Sequence, residues 1–300
     1  MKKLAFITLL FFSMVSLINA QDIKTILLYP KDIPNSKPTP ANYVETNDKG
    51  WVTKVSIPVL VPYFAAKPTG TAVIIIPGGS YAGVSMENEG ANIAQAFNKI
   101  GVTAFVLKFR LTSDKIMLDK TIAPLQDAQT AILIVRNRAA EWGINPAKIG
   151  LVGFSGGGHL AATAGTHFDK AVIANKDNIS LRPDFMILAY PVISFEDGIT
   201  HVGTREGLLG KNPTSQQVEL YSNEKQVTAN TPPTFLVHAQ DDNAVPVQNS
   251  LVFYDALSKA KVKAEMHIYQ SGGHGFGLNN KKSNEHWFDW CASWLQANGF

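Results

Sequence analysis

The sequence predicts an α/β fold: a mostly parallel central sheet with helices on both faces. Three observations support this. Short apolar, β-branched runs recur along the chain. Segments with helical spacing separate them. Glycine-rich turns follow the runs wherever a strand would hand over to a helix. Such alternation implies right-handed βαβ crossovers, which bury both faces of a parallel sheet.

The elements follow in order. Residues 30–48 are rich in Pro, Asn, Lys and Thr and read as part of an N-terminal arm, residues 21–50, laid over the core. Val52 to Ala65 is β-prone but interrupted by Pro58 and Pro62, which predicts edge strands. Thr71–Ile76 and Val102–Phe109 are strands. Leu125, Ala128, Ile132, Val135, Ala139 and Trp142, at spacings of three and four, predict an amphipathic helix stopped by Gly143 and Asn145-Pro146. Lys148–Phe154 is a third strand, and the small residues through Gly165 permit a closely packed helix behind it. Phe185–Ala189, Thr234–Ala239 and Ala264–Tyr269 are further strands, with helices over Val247–Ala260 and Ser283–Ala297. Residues 194–230 lack a clean rhythm and are expected to form a small insertion over the site.

Composition narrows the function class. The 300 residues are 45% hydrophobic and 17% charged, enough for a large core. The formal charge is +3, and without Lys2 and Lys3 the balance is 25 basic to 24 acidic residues. No basic block exists to bind nucleic acid. Lys2-Lys3, the apolar run Leu4–Ile18 and the small residue Ala20 have the layout of a secretory signal peptide over residues 1–20. The run is shorter than the roughly 20 residues a spanning helix needs. The expectation is therefore cleavage, export to the periplasm or beyond, and residues 21–300 as one domain with no membrane span. The single cysteine, Cys291, lies among Trp287, Trp290, Trp294 and Leu295 at helical spacing and reads as a buried structural thiol.

In a parallel sheet of this kind, reacting groups gather at the carboxyl ends of the strands. Four motifs stand just after predicted strands. Gly153-Phe154-Ser155-Gly156-Gly157 matches G-x-S-x-G between a strand and a helix. A sharp turn there holds Ser155 in a strained conformation with its hydroxyl raised above the sheet, the position of a nucleophile. Pro77-Gly78-Gly79-Ser80-Tyr81 is a glycine-rich loop whose backbone can approach a developing oxyanion. The N–H groups of Gly79, Ser80 and Gly156 are the expected donors. Asp241-Asp242 follows the fourth-last predicted element. Asp242 is the favoured carboxylate to orient a base, and Asp241 is assigned to holding the loop. Ser271 to Gly277 carries His274 between glycines, the expected general base. Of the other histidines, His238 and His267 lie on strands, His159 is assigned to packing, and His167, His201 and His286 read as surface residues. No H-E-x-x-H or paired Cys/His spacing suggests a metal, and Gly156-Gly157-Gly158 lacks the Lys-Ser/Thr of a phosphate loop. No cofactor is expected.

The order Ser155, Asp242, His274, together with these motifs, resembles the α/β-hydrolase superfamily. The segment from Asn145 to Leu160, Val245-Pro246 and Gly273-His274-Gly275-Phe276-Gly277 resemble more narrowly its small esterase branch related to acetyl xylan esterases. Pro77 stands where related lipases usually have His, and Ser80 where many have a third glycine. The resemblance implies an α/β-hydrolase fold, a Ser-His-Asp triad with an acyl-enzyme, and small-molecule or oligosaccharide esters as substrates, the acyl group being acetyl or similarly small. A peptidase of the same fold and a non-catalytic carbohydrate-binding protein are the competing expectations.

Overall fold

The computed structural model describes residues 25–300, so the expected signal peptide lies outside the described residues. The strands are β1 (Ile26–Leu27), β2 (Thr46–Asp48), β3 (Trp51–Thr53), β4 (Val59–Tyr63), β5 (Ala72–Ile76), β6 (Val84–Ser85), β7 (Thr103–Lys108), β8 (Ile149–Phe154), β9 (Met186–Ala189), β10 (Thr234–Ala239) and β11 (Ala264–Tyr269). The helices are α1 (Asn92–Lys99), α2 (Ala123–Asn137), α3 (Ser155–Thr166), α4 (Val202–Leu209), α5 (Ser215–Tyr221), α6 (Gln248–Lys259) and α7 (Trp287–Ala297). Eight strands form one sheet in the order β1-β4-β7-β5-β8-β9-β10-β11, parallel from β7 to β11. The strands β4 and β1 are added antiparallel at one side. This is the α/β-hydrolase fold that the motifs imply.

Alternation along each strand decides what each face buries. Ile74 and Ile76 of β5 point into a core shared with Leu125 and Ile132 of α2, Leu160 of α3 and Phe253 and Leu257 of α6. Val73 and Ile75 point the other way, into a core with Ile93 and Phe97 of α1 and Trp287 and Trp294 of α7. Both faces are therefore covered, and β5 and β8 are buried along their whole lengths. Cys291 is buried in the second core, as its spacing implied.

Two expectations about the elements need correction. First, β4 is not an edge strand, because β1 pairs with it at Val59 and Leu60. Pro62 is tolerated because β1 ends before reaching it, so no partner seeks the N–H that proline lacks. Second, the helix predicted through Trp142 stops at Asn137 and is followed by a short tight turn, Ala140–Trp142. Gly143, at φ 65°, then reverses the chain.

The strand order positions the site. The chain leaves β5 for β7 on one side and later returns to β8 on the other, so the crossover direction reverses at β5. A crevice opens at such a point, outside the carboxyl ends of the two neighbouring strands. The loop Pro77–Tyr81 leaves β5 there, and Ser155 leaves β8 beside it.

Candidate active site

Ser155 begins α3 immediately after β8, at φ 51°, a left-handed conformation unusual for a residue with a side chain. The tight turn depends on two glycines. A Cβ on Gly157 would stand 2.3 Å from the carbonyl oxygens of Ile76 and Pro77, and one on Gly153 would stand 2.6 Å from Cβ of Ala161. Side chains at these positions would thus strike the end of β5 and the first turns of α3.

The structure brings the three predicted side chains together. Nε2 of His274 lies 2.8 Å from Oγ of Ser155, and Nδ1 of His274 lies 2.6 Å from Oδ2 of Asp242. A carboxylate can only accept, so Nδ1–H donates to Asp242 and Nε2 presents its lone pair to the Ser155 hydroxyl. Oδ1 of Asp242 accepts the N–H groups of Ala244 and Val245, each at 2.9 Å. Burial of Asp242 opposes its ionisation. Hydrogen bonds from His238, His274 and the Val245 N–H outweigh burial and hold its carboxyl well below the usual carboxylate range. His238 sits 3.3 Å from Oδ2 of Asp242, with Nδ1 on Ser250 at 2.8 Å. It is a sheet residue, as read from the sequence, and also a neighbour of the site.

Asp241 accepts the N–H groups of Gly272 and Gly273 at 2.7 and 2.8 Å. It thereby fixes the root of the loop that carries His274.

Gly79, Ser80 and Tyr81 all have positive φ, at 141°, 55° and 60°. A Cβ built on Gly156 would lie 2.7 Å from the Ser80 nitrogen, so these two backbones face each other across the crevice. Among the described residues neither the Gly79 nor the Ser80 N–H has an acceptor in hydrogen-bonding range. The Gly78 N–H is instead committed to Oε2 of Glu89 at 2.7 Å. From the segment 194–230, α4 packs here: a Cβ on Gly207 would meet the Ser80 carbonyl oxygen at 2.7 Å, and Oγ1 of Thr204 approaches Gly156.

Two surface assignments are corrected. His167 is buried, packed against Tyr221, with Nδ1 near the Thr163 carbonyl and the Thr166 hydroxyl. His201 is half-buried and caps α4 by accepting the Thr204 N–H. Burial and the nearby His274 push its pKa down, against a smaller upward pull from Asp242. His286 is exposed as expected.

Sequence reasoning missed Glu89 and Tyr190. Glu89 sits in the polar run Met86-Glu87-Asn88-Glu89-Gly90, which reads as surface but folds as one wide helical turn before α1 and buries this carboxylate. Tyr190 directly follows β9. The rule that reacting groups follow strand ends would have found it.

Fold and site together define an α/β-hydrolase. The family model described as BD-FAE matches residues 59–257, and the chain belongs to the BD-FAE family. It is 38% identical to an acetyl ester-xyloside bifunctional hydrolase from Caldicellulosiruptor lactoaceticus, whose crystal structure superimposes with a TM-score of 0.79 over 93% of this chain and 97% of that one. It is 34% identical over 244 residues to an acetylxylan esterase of Xylanibacter ruminicola, covering 80% of this chain and 47% of that protein. It is 36% identical over 220 residues to an endo-1,4-beta-xylanase B of Butyrivibrio fibrisolvens, covering 72% of this chain and 34% of that protein. The chain thus spans about half the length, or less, of these curated relatives.

Proposed function

We propose that this protein is a serine esterase that removes small acyl groups, acetyl foremost, from carbohydrate esters. The observation that carries the reading is the unbroken hydrogen-bond chain from Ser155 through His274 to Asp242.

In this reading His274 takes the Ser155 proton at Nε2 as Oγ attacks the ester carbonyl. Asp242 keeps the proton on Nδ1 and stabilises the imidazolium. The N–H groups of Gly79, Ser80 and Gly156 receive the oxyanion, and those of Gly79 and Ser80 are not already paired within the loop. His274 then returns the proton to the leaving alcohol, which departs and leaves an acyl-enzyme. Water, deprotonated by His274, attacks that acyl-enzyme, and His274 returns the proton to Oγ of Ser155 as the acid is released.

Similarity to proteins named acetylxylan esterase and acetyl ester-xyloside hydrolase supports the acetyl and sugar assignments. Export is proposed on the strength of the N-terminal sequence, and N-terminal sequencing of the secreted protein tests it.

Ser155→Ala is expected to abolish turnover of 4-nitrophenyl acetate while the protein stays folded. Retention of most activity would refute the triad. Turnover of acetylated xylan and glucomannan, set against an aminoacyl amide, separates the esterase from a peptidase of the same fold. Failure of a fluorophosphonate to label the protein would favour a non-catalytic carbohydrate binder.

A further inference from the structure

Glu89 has 5% of its surface exposed, yet its partners are a backbone N–H and a phenol rather than a Lys or Arg. Oε2 accepts the Gly78 N–H at 2.7 Å, and Oε1 accepts the Tyr190 hydroxyl at 2.8 Å. The Tyr190 oxygen in turn accepts the Gly277 N–H at 2.9 Å, and the Gly277 carbonyl accepts Nε1–H of Trp287 at 2.9 Å. One line of hydrogen bonds therefore runs from the loop after β5, through Glu89 and the end of β9, to the loop that carries His274.

Donor accounting fixes the proton positions. The Gly277 N–H can only donate, so the single Tyr190 proton points to Glu89. Both carboxylate oxygens are then acceptors, an arrangement that suits the ionised form. Burial is the largest influence and raises the Glu89 pKa above the ordinary carboxylate value, while the bonds from Tyr190 and Gly78 and the nearby His274 offset part of that rise. The carboxylate lies close to the chemistry. A Cβ on Gly78 would stand 2.8 Å from both Oε2 of Glu89 and Cβ of Ser155. The Tyr190 ring meets His274 edge-on at 5.0 Å between centroids.

From this geometry we infer that Glu89 is a positioning residue with two tasks. By holding the Gly78 N–H it sets the direction of the loop, so that the next N–H groups, those of Gly79 and Ser80, stay free for the oxyanion. By holding Tyr190 it anchors Gly277, three residues beyond His274, and its negative charge favours the imidazolium that forms when Ser155 attacks. The inference rests on the triad reading above.

The test compares Glu89→Gln and Tyr190→Phe with wild type on 4-nitrophenyl acetate. Rates are expressed per site titrated by a fluorophosphonate and followed from about pH 5 to about pH 9. The groups facing His274 are Ser155, Asp242 after β10, Tyr190 after β9, Glu89, and His201 ahead of α4. His201 also titrates, so each variant is repeated with His201→Gln.

Glu89→Gln offers one acceptor where two are needed and removes the charge. It is expected to lower kcat per titrated site about tenfold or more, leave KM within about threefold, and move the acid limb of kcat/KM to lower pH by about half a unit. Tyr190→Phe keeps the charge, so kcat is expected to fall severalfold while the acid limb stays in place. A Glu89→Gln protein with wild-type kcat per titrated site and an unmoved acid limb would overturn the inference. If Glu89→Gln does not fold, an unchanged kcat in Tyr190→Phe would overturn it instead. Turnover surviving in Ser155→Ala would sink the triad reading rather than this one.

Discussion

The Tyr81 hydroxyl donates to Nδ1 of His159 at 2.8 Å, and this one bond ties the loop after β5 to α3. The assignment of the proton is forced. Nε2 of His159 lies 2.9 Å from the Tyr221 carbonyl, which can only accept, so Nε2 carries the hydrogen and Nδ1 is the acceptor. Phe195 stacks on the imidazole at 4.1 Å, which completes its burial. A neutral ring is required throughout.

His159 therefore makes stability depend on pH in a defined direction. Burial holds its pKa down to about 3 against an ordinary value of 6.5, with the Tyr221 carbonyl only partly opposing this. Its folded value is depressed, so its contribution is complete above 6.5 and is lost as pH falls toward 3. The unfolding free energy should fall between about pH 6 and pH 4.5, by up to about 1.4 kcal/mol per pH unit for this one proton. His159→Phe keeps the stacking but strands the Tyr81 hydroxyl and the Tyr221 carbonyl. It should cost about 2 to 4 kcal/mol at neutral pH and flatten the acid slope by that one proton. Urea titrations at several pH values check both points, and an unchanged slope would show that His159 is not the group responsible.

Asp242→Asn should leave the fold intact and cut kcat by a factor on the order of 10³ to 10⁴. The amide can donate to Nδ1 of His274, which moves the imidazole proton to Nε2, where it faces Ser155 instead of a lone pair. His238, 3.3 Å from Oδ2, is no substitute, because its Nε2 faces the Val245 carbonyl as a donor and offers Nδ1–H of His274 no acceptor. Fluorophosphonate labelling should slow in proportion to kcat. A loss smaller than about tenfold would mean that another carboxylate orients the base.

The parts of the site legible in the sequence share one property: each depends on backbone conformation next to a strand end. Gly153 and Gly157 flank Ser155 because strand, turn and helix pass within contact distance, and glycines flank His274 because its loop must turn back on itself. Such needs leave small residues in fixed places. Glu89 leaves no such mark. Its burial comes from Gly78 and Tyr190, 11 and 101 residues away, and a Glu-Asn-Glu run carries no local sign of them. The edge-strand reading of β4 failed for a related reason. Two residues near the N-terminus, Ile26 and Leu27, supply its outer partner, and so short a strand has no detectable period. His167 reads as surface because a lone histidine at the end of a small-residue helix does not announce the Tyr221 ring that covers it.

Asp241 acts on the geometry of its neighbour. Its exposed carboxylate spans the N–H groups of Gly272 and Gly273, which hold its pKa below the ordinary value. Gly273 and Gly275 have φ of 63° and 75°, so the backbone on either side of His274 has little rigidity of its own. Asp241→Ala should lower kcat about tenfold while leaving KM nearly unchanged. Amide hydrogen exchange should rise over residues 272–277. Wild-type protection of these amides in the variant would show that the loop is held by other contacts.

Arg110 and Asp127 form the one ion pair among the described residues in which both side chains are fully buried without a histidine. Nε of Arg110 reaches both carboxylate oxygens at 3.0 Å, and Nη2 reaches Oδ1 at 2.7 Å. The rest of the guanidinium holds the Pro34 carbonyl at 2.7 Å and the Ser36 hydroxyl at 3.1 Å, and Tyr29 donates to Asp127 at 3.0 Å. The pair thus fastens residues 29–36 to the start of α2. Asp127→Ala leaves an uncompensated buried cation and should cost about 3 to 5 kcal/mol. Replacing both partners, Arg110→Met with Asp127→Leu, removes the stranded charge and should recover much of that loss. Neither residue touches the Ser155 site, so kcat per folded molecule should hold in both variants. A double variant no more stable than Asp127→Ala, measured by urea unfolding, would show that the bonds to Pro34 and Ser36, not the charge balance, stabilise this corner of the molecule.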